Sequence, residues 1–193
     1  MQDNLKRTFI AVKIMPPADF INNYNIIKKK LQDEDIRWVK PGNFHITLRF
    51  LGDTFGQEID KISEVLEKGL KDLKSFCFAV KGMDVFRSVR YPRVLWLGLT
   101  NTDDLQKLKS RVDEFLVSQG KVPDNNTFSP HLTLGRMKRM KDRETLREMI
   151  NDYRNVEFFT VQVKTVLFFE SILSMEGAAY KVISEYPLNH ISP

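Results

Sequence analysis

A chain of 193 residues, 42% hydrophobic and 28% charged, can bury a sizeable core and has an ordinary globular composition. It contains no apolar run near the roughly 20 residues of a membrane span. The polar start Met1-Gln2-Asp3-Asn4-Leu5-Lys6-Arg7 lacks a signal-peptide pattern, and the single Cys77 excludes an internal disulfide or a thiolate cluster. A net charge of +5 favours a phosphate-bearing substrate over a cationic one, and the expectation is a cytoplasmic protein with no membrane attachment.

Thr8 to Ile14 reads as a strand stopped by Met15-Pro16-Pro17. A helix follows from Ala18 to Leu31, entered through Pro17, with Phe20, Tyr24, Ile27 and Leu31 on one face. Ile36 to Val39 is a short strand, Lys40-Pro41-Gly42-Asn43 a turn, and Phe44 to Leu51 a strand ended by Gly52-Asp53. Gln57 to Leu73 is an amphipathic helix on the stripe Ile59, Ile62, Leu66, Leu70 and Leu73. Phe76 to Phe86 and Arg93 to Leu99 read as paired strands, with Cys77 as a buried structural thiol. A helix over Asp103 to Ser118 stops at Gly120. After the loop Asp124 to Thr127 a further strand follows Ser129-Pro130, then a helix from Asp142 to Tyr153. Phe158 to Leu173 and Ala178 to Pro187 are expected as two long strands.

One pattern occurs twice. His45-Ile46-Thr47-Leu48-Arg49-Phe50 is answered by His131-Leu132-Thr133-Leu134-Gly135-Arg136, and two of the three histidines open it. Both copies alternate at the period of a half-buried strand, in which side chains i and i+2 share a face. His45 and Thr47 therefore share one face and Ile46, Leu48 and Phe50 the other; His131 and Thr133 stand likewise above Leu132 and Leu134. Imidazole exchanges protons near neutrality, and a threonine hydroxyl donates to a phosphoryl oxygen. Two such faces on one cleft would supply a general base, a general acid and two anion donors without a metal. One His-x-Thr alone is more simply a satisfied residue on a sheet; the repetition argues for chemistry. No His-x-x-x-His, cysteine pair or carboxylate at ligand spacing accompanies either copy.

The tandem pattern resembles the two-histidine (2H) phosphoesterases, and among them the LigT-like RNA 2′,3′-cyclic phosphodiesterases, once called 2′-5′ RNA ligases. Arg7-Thr8-Phe9-Ile10-Ala11, Trp38-Val39-Lys40-Pro41-Gly42-Asn43-Phe44, Leu51-Gly52-Asp53, Phe128-Ser129-Pro130 and Tyr186-Pro187-Leu188 fit as well, so the resemblance spans almost the whole chain. It implies a single bilobal domain over residues 1–193: an α+β fold of two pseudo-symmetric lobes, antiparallel sheets flanked by helices, and an active-site cleft between them. It further implies hydrolysis of RNA 2′,3′-cyclic phosphate ends to 2′-phosphomonoesters without cofactor or metal, with His45 as proton donor and His131 as proton acceptor.

The substrate expected from the resemblance is RNA bearing a 2′,3′-cyclic phosphate, tRNA fragments included. The competing readings are a non-catalytic module that binds RNA ends and a phosphodiesterase for small cyclic nucleotides or ADP-ribose cyclic phosphate. Thr47, Thr133, Arg136, Arg49 and Phe9 are the candidate substrate contacts. Arg49 is in strand phase with His45, whereas Arg136 reaches the site only if Gly135 breaks the phase. Phe9, Trp38 and Phe44 could stack on a base or pack in the core, and His190 has no partner pattern. Oligomeric state cannot be read from the sequence; a monomer is the expectation.

Overall fold

The computed structural model describes residues 5–174 and 177–189. Its strands are β1 (Lys6–Lys13), β2 (Asp35–Trp38), β3 (His45–Thr54), β4 (Phe76–Phe86), β5 (Val94–Thr100), β6 (Leu132–Arg139), β7 (Glu157–Val163), β8 (Thr165–Ser174) and β9 (Gly177–Pro187). The helices are α1 (Ala18–Lys30), α2 (Gly56–Leu70), α3 (Asp103–Ser118) and α4 (Arg143–Tyr153). One sheet has the order β3-β1-β8-β9 and the other β2-β6-β5-β4-β7; neighbouring strands are antiparallel throughout. His190 lies outside the described residues.

Each sheet is covered by helices on one side. α2 packs on β9 and on α3, α3 on β3, and α4 on β4. Phe20 of α1 meets Phe158 and Phe159 of β7 at 5.7 and 4.8 Å between ring centres. The expected stripe of α1 is buried, down to Leu31 just beyond it, and that of α2 from Ile59 to Leu70; the helix stops there, short of the expected Leu73, which is half-buried. Along β1, Ile10 and Val12 join the main core, whereas Phe9 and Ala11 form a separate buried cluster with Leu167 and Phe169. That second cluster floors the open face of the four-stranded sheet. Among the described residues no helix is long and apolar enough to cross a membrane.

Three sequence expectations are corrected. The single strand expected from Phe158 to Leu173 is two: β7 ends at Val163 beside β4, and after Lys164 the chain enters the other sheet as β8, beside β1. Gly52 does not end β3. It adopts φ +73°, a conformation glycine takes freely, and the strand continues past a bulge at Leu51 to Thr54. Cys77 is exposed, because the alternation that buries Phe76 and Phe78 turns the residue between them outward.

Tyr24 ties α1 to the second motif: its hydroxyl donates to the carbonyls of Val39 at 2.8 Å and Leu134 at 3.2 Å. The Leu134 carbonyl also accepts from the Val39 amide at 2.9 Å and keeps a partner without the phenol. Tyr24→Phe should therefore cost about 1 kcal/mol in urea unfolding, the net value of one hydrogen bond, with the fold retained by circular dichroism.

Candidate active site

The two motifs share an irregularity that decides which side chains meet. On β3, Thr47 pairs with Ala11 and Arg49 with Ile10, so Leu48 between them has no partner on β1. On β6, Thr133 pairs with Trp96 and Gly135 with Leu95, so Leu134 is likewise unpaired. Each motif thus carries a β-bulge at its fourth residue, and the phase of the strand slips by one. The sixth residue, Phe50 or Arg136, then returns to the face of the first and third. One cavity of about 490 Å³ is lined by His45, Thr47 and Phe50 together with His131, Thr133 and Arg136.

The slip brings Arg136 into the cavity, with the phase broken at Leu134 and not at Gly135, which stays paired with Leu95, and it overturns two strand-phase expectations. Phe50, expected in the core, is 62% exposed and lines the cavity. Arg49, expected beside His45, is turned to the far side of β3. There it meets Asp113 of α3 at 3.5 Å and Asp124 at 3.2 Å, and it donates to the Val122 carbonyl. The buried Lys109 completes the group, paired with Asp113 and, at 3.2 Å, with Asp124. Two cations and two carboxylates thereby tie the first motif strand and α3 to the segment that leads into His131.

Both imidazoles are held alike. Nδ1 of His45 lies 2.7 Å from the Asn43 carbonyl, and Nδ1 of His131 lies 2.7 Å from the Ser129 carbonyl. A carbonyl only accepts, so in each ring the proton sits on Nδ1 and the neutral imidazole keeps Nε2 as its free base. Asn43 ends a 3-10 turn, Pro41–Asn43, and donates from Nδ2 to the Ala178 carbonyl at 2.9 Å. Burial pushes both histidines below their ordinary range, and the charge of Arg136 adds to this; the carbonyl bonds oppose it. The charge of His131 lowers His45 further.

Aromatic rings support both histidines. Phe9, 2% exposed, contacts the His45 ring at 5.1 Å and also lines the cavity, with Tyr180 edge-on to His45 at 5.1 Å. Phe86 meets His131 edge-on at 4.6 Å, and Trp96 stands 6.1 Å away. Phe44 is core, and Trp38 packs edge-on to Tyr24 at 5.7 Å while reaching the cavity wall. Tyr180, Phe86 and Trp96 escaped the sequence reading because only sheet pairing brings them to the motifs. Among the described residues no group of three or more His, Cys, Asp and Glu side chains could hold a metal ion.

Residues 27–170 match the 2′-5′ RNA ligase superfamily. The chain belongs to that family. It is 38% identical over 155 residues to an RNA 2′,3′-cyclic phosphodiesterase of Aquifex aeolicus, covering 79% of this chain and 81% of that one. To the protein of the same name in Thermotoga maritima it is 36% identical over 180 residues, covering 93% and 94%. The fold matches that of TT0787 of Thermus thermophilus (TM-score 0.78, 21% identity, 95% and 98% covered). It also matches E. coli LigT complexed with 3′-AMP (TM-score 0.74, 20% identity, 96% and 99% covered).

Two measurements separate the cavity from its support. Arg49→Ala removes one cation from a half-buried network, with an expected loss of about 1–3 kcal/mol in stability. Affinity for inorganic phosphate at the cavity, read by calorimetry, should then stay within about threefold, since Arg49 does not line it; a larger loss would return Arg49 to the site. Arg136→Gln removes a positive charge from beside both imidazoles, so both histidine pKa values should rise in NMR titrations.

Proposed function

We propose that the protein is a metal-independent RNA 2′,3′-cyclic phosphodiesterase that opens the cyclic phosphate to a 2′-phosphomonoester by paired-histidine acid–base catalysis. The observation that carries this reading is the matched pair of imidazoles on one cavity, each fixed through Nδ1 so that Nε2 is the nitrogen left for proton transfer. The names of the relatives from Aquifex aeolicus and Thermotoga maritima support the substrate class.

Water attacks phosphorus while Nε2 of neutral His131 takes its proton. The bond from phosphorus to the ribose O3′ breaks, and protonated His45 delivers a proton to that oxygen. The product is a 2′-phosphate with a free 3′-hydroxyl, and the two imidazoles have exchanged charge states, to be reset through solvent. The assignment of His45 as donor and His131 as acceptor follows the family resemblance. Thr47, Thr133 and Arg136 donate to the nonbridging oxygens, where charge builds in the transition state. Among the described residues that line the cavity none offers a carboxylate or thiolate to a metal, which fits proton transfer by the histidines themselves.

His45→Ala and His131→Ala should each lower kcat on a cyclic-phosphate-ended oligonucleotide by roughly 10²–10⁴, the usual range for one acid–base group, with EDTA without effect. Near-full activity in either variant, or activity restored by one divalent metal, refutes the mechanism. Tight binding without turnover leaves a module that binds RNA ends. The pH profile has a definite sign. One histidine must be neutral and the other protonated, and both are depressed in the free protein. The kcat/KM optimum should thus fall on the acid side of about 6.5. In kcat the optimum should move up, because a bound phosphate anion favours imidazolium.

A further inference from the structure

Cations crowd the cavity beyond what one phosphate needs. Besides Arg136 its lining includes Arg7 on β1, Arg37 on β2 and Lys40 just after β2, and among the described residues no carboxylate. None of these four has an ion pair among the described residues, whereas Arg49 and Lys109 behind β3 are both paired. The charges are also placed at close quarters: Arg37 stands directly opposite Arg136 in the β2–β6 pairing, on the edge of the five-stranded sheet. Opposed residues of an antiparallel pair have Cβ atoms about 4.5–5.5 Å apart, and like charges there repel. With no acid among the described lining residues, an anion from outside is what relieves them.

A cyclic phosphate carries one negative charge, which Arg136 answers beside the histidines. Arg37, Lys40 and Arg7 are left over. Because a 2′,3′-cyclic phosphate is by its chemistry the 3′ end of a chain, any further phosphate of the substrate lies on the 5′ side of the same ribose. We propose that Arg37, with Lys40 and Arg7, forms a second phosphate subsite that binds the phosphate on the 5′ side of the cyclic-phosphate nucleoside. This rests on the cyclic phosphodiesterase reading and deepens it: the preferred substrate carries two phosphates across one nucleoside, and an RNA end satisfies this with its last internucleotide phosphodiester. Phosphate contacts of this kind give affinity and register without reading sequence, so the subsite accepts any base.

The test compares three substrates: a nucleoside 2′,3′-cyclic phosphate, its 5′-phosphorylated form, and a trinucleotide ending in the cyclic phosphate. The native protein should gain about tenfold or more in kcat/KM on adding the 5′-phosphate group, and the gain should shrink as salt rises. In Arg37→Ala the gain should fall below about threefold, with Arg37→Lys intermediate. A gain in both longer substrates means the subsite takes phosphate as such; a gain in the trinucleotide alone assigns it to the internucleotide linkage. No gain, or a gain untouched by Arg37→Ala, overturns the subsite while leaving the phosphodiesterase intact. If no substrate turns over, the phosphodiesterase reading fails instead. Calorimetry with a nucleoside 3′-phosphate, a nucleoside 3′,5′-bisphosphate and a 3′-phosphorylated trinucleotide still decides the subsite, by the same ratios in Kd for native and Arg37→Ala protein. Arg37 is exposed on an edge strand, so the variant should keep the native circular dichroism spectrum.

Discussion

Strand phase governs this molecule's site, and a single unpaired residue in each motif sets it. Without the bulges at Leu48 and Leu134, strict alternation would aim Arg49 into the cavity and send Arg136 and Phe50 to the opposite face. The bulges trade a regular ladder for a first, third and sixth residue on one surface. They also explain why the two motifs agree in their leading residues yet diverge at the fifth: Arg49 joins a network behind β3, and Gly135 lies against β2. A Cβ on Gly135 would stand 2.7 Å from a methyl carbon of Ile36 and 3.2 Å from the Trp38 ring, so the edge strand that carries Arg37 can approach only a glycine there.

Electrostatics divides the cationic side chains by location. Behind β3 they are compensated within the protein, and Arg49, Lys109, Asp113 and Asp124 work as fixed architecture. Around the cavity they have no ion pair among the described residues, and the charge of Arg136 bears on both imidazoles. An arriving phosphate therefore changes the protonation of the histidines as well as neutralising guanidinium groups.

Much of this was legible in the sequence where local rules suffice. The helices came from apolar stripes at helical period, and the histidines from a pattern written twice. Arg49 and Phe50 were misplaced because a bulge has no reliable signature in one strand; it is a property of the pairing with β1. The junction at Lys164 was missed because Phe158 to Leu173 runs without glycine or proline, and β-branched and aromatic residues continue on both sides of it. Tyr180, Phe86 and Trp96 lie far from the motifs in sequence, and only the sheet order makes them neighbours.

The crossing at Lys164 bears on how the protein is made. The five-stranded sheet that seats His131 has all its strands once residue 163 is synthesised. The sheet that seats His45 begins with β1 and β3 and then waits, because β1 needs β8 on its other edge and β8 needs β9, which ends at Pro187. On the ribosome, the half of the cavity encoded first is therefore the last to be completed.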